Sequence, residues 1–213
     1  GHGSASGGAR DLVRTLEVLY WVLALLIVLT CAVLSPWIAR RWVLAQTMSA
    51  ARIETVVRLM GVVIAFEWLF SFYGGGLLGM HRQVIYNAWY AVVSTLRYAG
   101  VLLILWYLSP SIEAFFAWQA AVGLHGAVVV GALLWARLPA GEPARFRATI
   151  VRSVWHFAAG MSAVSLTGLV LSQLDRVILA RLVPLSELGY YGLALSLAGL
   201  LQGFVSPIFA AVF

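Results

Sequence analysis

The stretch VLYWVLALLIVLTCAVLSPWI, residues 18–38, runs for 21 positions without one charged side chain. A helix crosses a bilayer with about 20 mostly apolar residues, because each residue adds roughly 1.5 Å along the axis. Strands of membrane barrels are shorter, at about ten residues, and they alternate apolar with polar side chains. The length and the uninterrupted apolar character of this stretch therefore predict a transmembrane helix.

Five further segments have the same character, and only single charges interrupt them. With the first stretch they predict helices at about 12–38, 56–80, 83–108, 111–136, 153–183 and 186–213. Helices that are apolar on all sides are typical of membrane spans. The sequence thus predicts an all-α, polytopic membrane protein with six transmembrane helices.

The composition supports the same class of protein. Hydrophobic residues make up 62% of the chain and charged residues 10%, whereas a soluble domain is about a quarter charged. All fourteen basic residues are arginines, and they separate apolar runs instead of forming a patch. This distribution is typical of membrane edges and argues against a nucleic-acid partner. Cys31 is the only cysteine, so we expect a buried, inert thiol and no internal disulfide.

Two connections are long enough to matter for the organisation of the chain. Residues 39–58 could form a short helix in the membrane interface. Residues 137–152 contain two prolines, a glycine and four arginines, and they predict a boundary between a region 1–136 with four spans and a region 153–213 with two. The Gly/Ser-rich start, residues 1–10, is expected to be a flexible loop or linker. Because the chain stops inside an apolar run, we expect it to be a piece of a longer protein.

Glu67 and Arg97 are the two charges that the helix positions place deep in the membrane. An ionisable group at that depth costs several kcal/mol, which makes each one a functional candidate. Glu67 lies thirteen residues before the turn near Met80 and Arg97 seventeen after it, so their depths differ by about 6 Å. We expect a salt bridge between them. Either it serves packing alone, or Arg97 binds an anionic group in a hydrated cavity while Glu67 tunes or releases it.

Asp175 and Arg176 are the next candidates. Adjacent residues on a helix point about 100° apart, so these two side chains do not pair with each other. Leu174 is 22 residues beyond Arg152, or about 33 Å along a helix, which places the two charges at the far interface. They are expected to form either a solvated span end or part of a cavity mouth.

Several motifs are considered and set aside. YGGGLLGMHR has no Lys-Ser/Thr after its glycines, so Gly74, Gly75 and Gly76 are expected to bend a span or allow close helix approach. The histidines have no metal-ligand spacing, and no arrangement of Ser, His and Asp has positional support. We therefore expect no metal, no cofactor and no enzymatic activity, although one deep Glu does not by itself exclude an enzyme.

Three segments resemble the polysaccharide-biosynthesis branch of the multidrug/oligosaccharidyl-lipid/polysaccharide (MOP) exporters, which are MATE-like. They are GGLLGMHRQVIYNAWYAVVSTLRYAGVLLI, SPSIEAFFAWQA and, most specifically, SQLDRVILARLVPLSELGYYG. The resemblance covers nearly the whole chain and implies a fold of twelve or more helices in two lobes around a central cavity. The six spans would be the third to eighth helices, with residues 137–152 as the cytoplasmic linker between lobes.

The resemblance also implies a function. Such proteins flip lipid-linked oligosaccharides, usually on undecaprenyl-pyrophosphate, across the bacterial cytoplasmic (inner) membrane, and Arg97 would be the best-placed cation for the headgroup. Proton or sodium coupling and a monomeric state fit this reading. It places the N-terminal side in the cytoplasm, which seven arginines against six on the two sides do not decide. A drug/cation antiporter of the same fold and a membrane-embedded glycosyltransferase or polymerase that uses the same lipid carrier stay open as alternatives.

Overall fold

The computed structural model describes the backbone of residues 2–42, 48–141, 143–182 and 185–212, and every element of regular secondary structure in these ranges is a helix. Side chains are described there except at 2–7, 42, 154, 156–158, 175–176, 180–181, 185–186 and 201–212. The helices are α1 (His2–Trp37), α2 (Ala50–Gly79), α3 (Gln83–Leu103), α4 (Ile112–Arg137), α5 (Ala148–Leu182) and α6 (Leu185–Val212). Short π-helical segments, Ile38–Trp42 and Ile104–Leu108, extend α1 and α3.

Helix α2 is the centre of the first four helices. It packs against α1 on one side and α4 on the other, while α3 contacts mainly α4. The best-buried apolar side chains are Leu69 and Leu77 of α2 with Val130 and Leu134 of α4. By contrast, most of the large apolar side chains of α1 and α3 are exposed, as expected of helices whose outer faces contact lipid.

Glycines allow two of these helix contacts to be close. A Cβ added to Gly61 of α2 would lie 2.6 Å from the Cβ of Cys31 in α1, and one added to Gly76 would lie 2.8 Å from Leu134. Small residues at such contacts let helix backbones approach in membranes. The expected role of the glycine cluster is confirmed for Gly74, which faces the Tyr86 ring, and for Gly76, whereas Gly75 faces open space. Cys31 is only partly buried.

Local sequence signals set the helix ends. The hydroxyls of Ser49 and Ser111 cap α2 and α4 by accepting from the backbone N–H of Arg52 and Ala114. Helix α2 ends in a turn in which Arg82 N–H bonds to Leu77 O and His81 adopts φ 58°. Glycine usually takes that left-handed position, so His81 holds the turn at some cost in backbone strain.

Helices α1 and α2 start ten and six residues before their predicted starts at 12 and 56, and the other helix ends lie within five residues of the predicted bounds. The expectation of a flexible start is wrong for residues 2–10, because α1 is helical from His2; extending a long helix costs far less than nucleating one. The expected interface helix within 39–58 stays a prediction, because the middle of that segment lies outside the described residues. Residues 38–42 continue α1 and Ser49 caps α2, while 43–47 lie outside the described residues.

Four helical regions are long and apolar enough to cross a membrane within the described part of the chain: Gly8–Arg41, Ala50–Gly79, Gln83–Leu108 and Ile112–Arg137. Helix α5 contains a shorter apolar stretch, Ala159–Leu174. The described chain divides into one compact unit that runs to Trp155 and another that starts at His156. The all-α fold with membrane-length helices is therefore confirmed, and six spans in two lobes stay a prediction.

Candidate functional site

The expected ion pair between Glu67 of α2 and Arg97 of α3 is present, and it joins Arg97 Nη2 to Glu67 Oε1. Both residues lie near the middle of their apolar helices: Glu67 is about 4 Å from the midpoint of Ala50–Gly79, and Arg97 about 2 Å from that of Gln83–Leu108. The side chains are 37% and 21% exposed, respectively. The pair thus sits near the middle of two membrane-length helices, and part of each side chain remains accessible.

The hydrogen bonding of Arg97 is incomplete within the described residues. Its Nε is buried and has no acceptor, and Glu67 Oε1 meets the guanidinium as an ion pair without hydrogen-bond geometry. Guanidinium N–H groups form a planar fork that fits the oxygens of a phosphate or a carboxylate. Arg97 therefore keeps one N–H donor, Nε, that has no acceptor among the described residues, and the one carboxylate beside it is paired with the guanidinium.

Asp175 and Arg176, the other two predicted site residues, lie in the backbone of α5. Their side chains lie outside the described residues, so their expected place at a span end or a cavity mouth stays a prediction.

A second buried carboxylate, Glu17 of α1, was not anticipated. Its Oε1 accepts hydrogen bonds from Tyr73 OH at 2.8 Å and from Trp135 Nε1 at 3.1 Å, and its Oε2 accepts one from Arg14 at 2.9 Å. Tyr73 OH in turn accepts from Trp21 Nε1 at 3.2 Å. These five residues, which we call the Glu17 cluster, connect α1 with α2 and α4.

The Glu17 cluster borders a cavity of about 220 Å³ between α1, α2 and α4. Glu17 itself is 6% exposed, and the remaining lining is mostly apolar, including Phe66, Leu69 and Ala127. Every oxygen of the buried carboxylate has a donor, so the Glu17 charge is compensated within the fold. The hydrogen bonds of the Glu17 cluster therefore hold three helices together beside an apolar cavity.

The sequence did carry one signal for Glu17. Arg14 and Glu17 are three residues apart, at the spacing that lets side chains meet on a helix surface, immediately before a long uncharged run. The positions of Tyr73 and Trp135 gave no corresponding signal, because those residues lie 56 and 118 positions from Glu17.

The opposite ends of these helices carry more exposed ion pairs. Arg52 at the start of α2 donates two hydrogen bonds to Glu113 at the start of α4, at 2.6 and 2.8 Å. Glu54 lies within 4 Å of both Arg40 and Arg58. No group of three or more His, Cys, Asp or Glu residues with metal-binding geometry occurs in the described part of the chain.

A family model described as polysaccharide biosynthesis protein matches residues 11–213. No individual curated protein and no solved structure matches the chain significantly.

Proposed function

Because the chain belongs to the family of polysaccharide biosynthesis proteins, we propose that it is part of a transporter that flips lipid-linked oligosaccharide across the bacterial cytoplasmic membrane. The carrier would be of the undecaprenyl-pyrophosphate type, and the product would supply surface polysaccharide. The observation that carries the proposal is Arg97, a partly accessible arginine at the middle of a membrane-length helix, with one carboxylate partner and an Nε–H that has no acceptor among the described residues.

The ion pair suggests how such a headgroup could be held and released. Without substrate, Glu67 compensates the charge of Arg97, which would otherwise stand unpaired in a medium of low dielectric constant. A diphosphate can replace Glu67 with stronger, two-pronged hydrogen bonds to the guanidinium. Glu67 is then free to take a proton or a sodium ion, which would couple transport to an ion gradient.

The wider mechanism follows from a two-lobe arrangement. The polar headgroup would occupy a hydrated cavity between the lobes while the lipid tail stays in the bilayer, and a change in the lobe arrangement would expose the cavity to each side in turn. A monomer in the inner membrane is sufficient for this mechanism.

Each of the two alternative functions requires carboxylates in a setting that differs from the Glu67–Arg97 pair. A drug or cation antiporter needs a carboxylate that is free to bind a cation, whereas Glu67 is paired with Arg97. A glycosyltransferase or polymerase that uses the same lipid carrier needs catalytic carboxylates on a sizeable loop, and the loops within 48–141 are short. Both alternatives fit the described residues less well than an anion site does.

Headgroup translocation by the full-length protein in proteoliposomes tests the proposal. Arg97→Ala is expected to lower the rate at least about tenfold, since a hydrogen bond to a charged group contributes about 1.5–3 kcal/mol. Arg97→Lys should retain part of the rate, because it keeps the charge and loses the planar fork. Arg82→Ala, which removes an exposed arginine from the turn before α3, is the matched control.

A charge reversal of the Glu67–Arg97 pair tests whether Arg97 binds the substrate or only packs α2 against α3. The double variant Glu67→Arg with Arg97→Glu can restore an ion pair between the helices but leaves a carboxylate at position 97. If the pair only packs α2 against α3, translocation recovers in the double variant. Recovery, or unchanged translocation in Arg97→Ala, would remove Arg97 from the substrate site.

A further inference from the structure

The segment just before α5 is bonded through its backbone to the start of α1. Asp11 accepts a hydrogen bond from the backbone N–H of Arg145 at 2.8 Å, and Thr15 Oγ accepts one from the backbone N–H of Arg147 at 2.9 Å. The Asp11 carboxylate also forms an ion pair with the Arg147 guanidinium. Two consecutive turns of α1 thus hold two alternate residues of the connection.

The spacing of the partners explains the fit. Asp11 and Thr15 are four residues apart and lie on one face of α1. Arg145 and Arg147 are two residues apart in a non-helical segment, and in extended backbone alternate N–H groups point the same way. Asp11 is 5% exposed and Thr15 is fully buried, whereas Arg145 and Arg147 are exposed, so loss of either acceptor leaves a backbone donor without its partner at a contact that is buried on the α1 side only.

A third contact fixes the other end of the same connection. Arg10 donates to the backbone carbonyl of Pro139 at 3.2 Å and lies over the ring of Trp135, 5.8 Å from its centre. The described residues of the connection therefore contact α1 just after α4, at Pro139, and again at Arg145 and Arg147, the residue that precedes α5. Ile150 N–H then bonds to Arg147 O in the first turn of α5.

From these contacts we infer that Asp11 and Thr15 form a docking site for the backbone of the connection between α4 and α5, so that this connection moves rigidly with α1–α4. Any hinge between lobes then lies on the C-terminal side of Arg147, and residues 137–147 do not act as a flexible linker. The docking stands on the contacts alone, whereas its consequence for transport rests on the proposed function.

Hydrogen–deuterium exchange of the full-length protein in lipid nanodiscs tests the docking directly. Thr15→Val keeps the shape of the side chain and removes the acceptor, so exchange of the peptide covering 145–150 should accelerate about tenfold at one amide. Thr15→Ser keeps the hydroxyl and is the matched control, with unchanged exchange. Asp11→Ala should expose the Arg145 amide, while Asp11→Asn keeps an acceptor oxygen and should protect it better. Equal exchange in Thr15→Val, Thr15→Ser and the wild type would overturn the docking.

A disulfide tests where the hinge lies. Thr15→Cys with Arg147→Cys, in a background with Cys31→Ser and no other cysteine, should form a bridge, because the Thr15 hydroxyl already touches the Arg147 backbone. If the connection stays docked throughout the cycle, headgroup translocation with the bridge closed stays within about twofold of the same protein after reduction. A loss of translocation that reduction reverses would overturn the hinge position. Absence of translocation in the wild type would instead refute the proposed function and leave the exchange result standing.

Discussion

The Glu17 cluster and the Glu67–Arg97 pair are both charged groups held between apolar helices, but they differ in how completely their hydrogen bonds are satisfied. Glu17 is 6% exposed and accepts from three donors on three helices. Glu67 is 37% exposed, has Arg97 as its ion-pair partner, and leaves the buried Nε of Arg97 without an acceptor among the described residues.

This difference separates two uses of a buried charge. A fully bonded carboxylate cannot bind anything else without breaking the bonds that it already makes, so it contributes to helix packing. A pair with an unsatisfied donor and partial exposure has fewer bonds to lose when one partner is exchanged for a ligand. The comparison predicts that variants of the Glu17 cluster lower stability and that variants of the Glu67–Arg97 pair lower transport.

Removal of the Glu17 carboxylate should have the largest effect on stability. Glu17→Ala leaves Tyr73 OH and Trp135 Nε1 without their acceptor, and an unsatisfied buried donor costs about 1–3 kcal/mol. Arg14, whose side chain is 51% exposed, stays in contact with its surroundings and adds little to that cost. The measurement is the midpoint of thermal unfolding in lipid nanodiscs. The control is the double variant Glu67→Gln with Arg97→Gln, which removes both charges of the deep pair and should shift the midpoint much less; equal shifts in the two proteins would remove the distinction.

Loss of one hydrogen-bond donor to Glu17 should cause part of the destabilisation expected for Glu17→Ala. Tyr73→Phe removes the hydroxyl that links Glu17 to Trp21 and keeps the ring that packs in the core. Deleting a single neutral donor to a charged acceptor is expected to cost about 1–2 kcal/mol. Tyr90→Phe removes a hydroxyl from an exposed tyrosine of α3 and should leave the unfolding midpoint unchanged. An unchanged midpoint for Tyr73→Phe would show that Glu17 does not depend on this bond.

The helices were predictable from sequence because their signals are local. The apolar lengths predicted α3 and α4 to within a few residues, and Ser111, whose hydroxyl caps α4 in the structure, lies at the predicted start of that helix. The Glu67–Arg97 pair was predictable for the same reason, since two consecutive helices joined by a short turn must be antiparallel. Their depths could therefore be counted from the turn near Met80.

The Glu17 cluster and the docked connection were not predictable in this way. Both depend on residues that are more than 50 positions apart in sequence, such as Glu17 with Trp135 and Asp11 with Arg145. Such contacts follow from which faces of α1, α2 and α4 meet, and glycines at the contacts decide how closely they approach. In an almost uniformly apolar sequence, periodicity does not identify those faces.

Neutralising both members of the deep pair should affect stability less than Glu17→Ala does. The double variant Glu67→Gln with Arg97→Gln removes two charges together, and replacing a whole ion pair is often nearly neutral, here within about 1 kcal/mol. Headgroup translocation should nevertheless fall, because the guanidinium is gone. A double variant that keeps translocation but unfolds as easily as Glu17→Ala would reverse the roles of the two regions.

The Arg52–Glu113 pair is expected to contribute less to stability than the Glu17 cluster or the Glu67–Arg97 pair. Its two hydrogen bonds are short, at 2.6 and 2.8 Å, yet the two side chains are 51% and 27% exposed. Exposed ion pairs gain little in water, and salt screens what they gain. Arg52→Ala is therefore expected to shift the unfolding midpoint less than Tyr73→Phe, and the shift should shrink further at 1 M salt. A shift as large as that of Glu17→Ala would mean that burial and bond satisfaction do not rank the charged contacts of this protein. A small shift would place all three contacts in the order that their burial predicts.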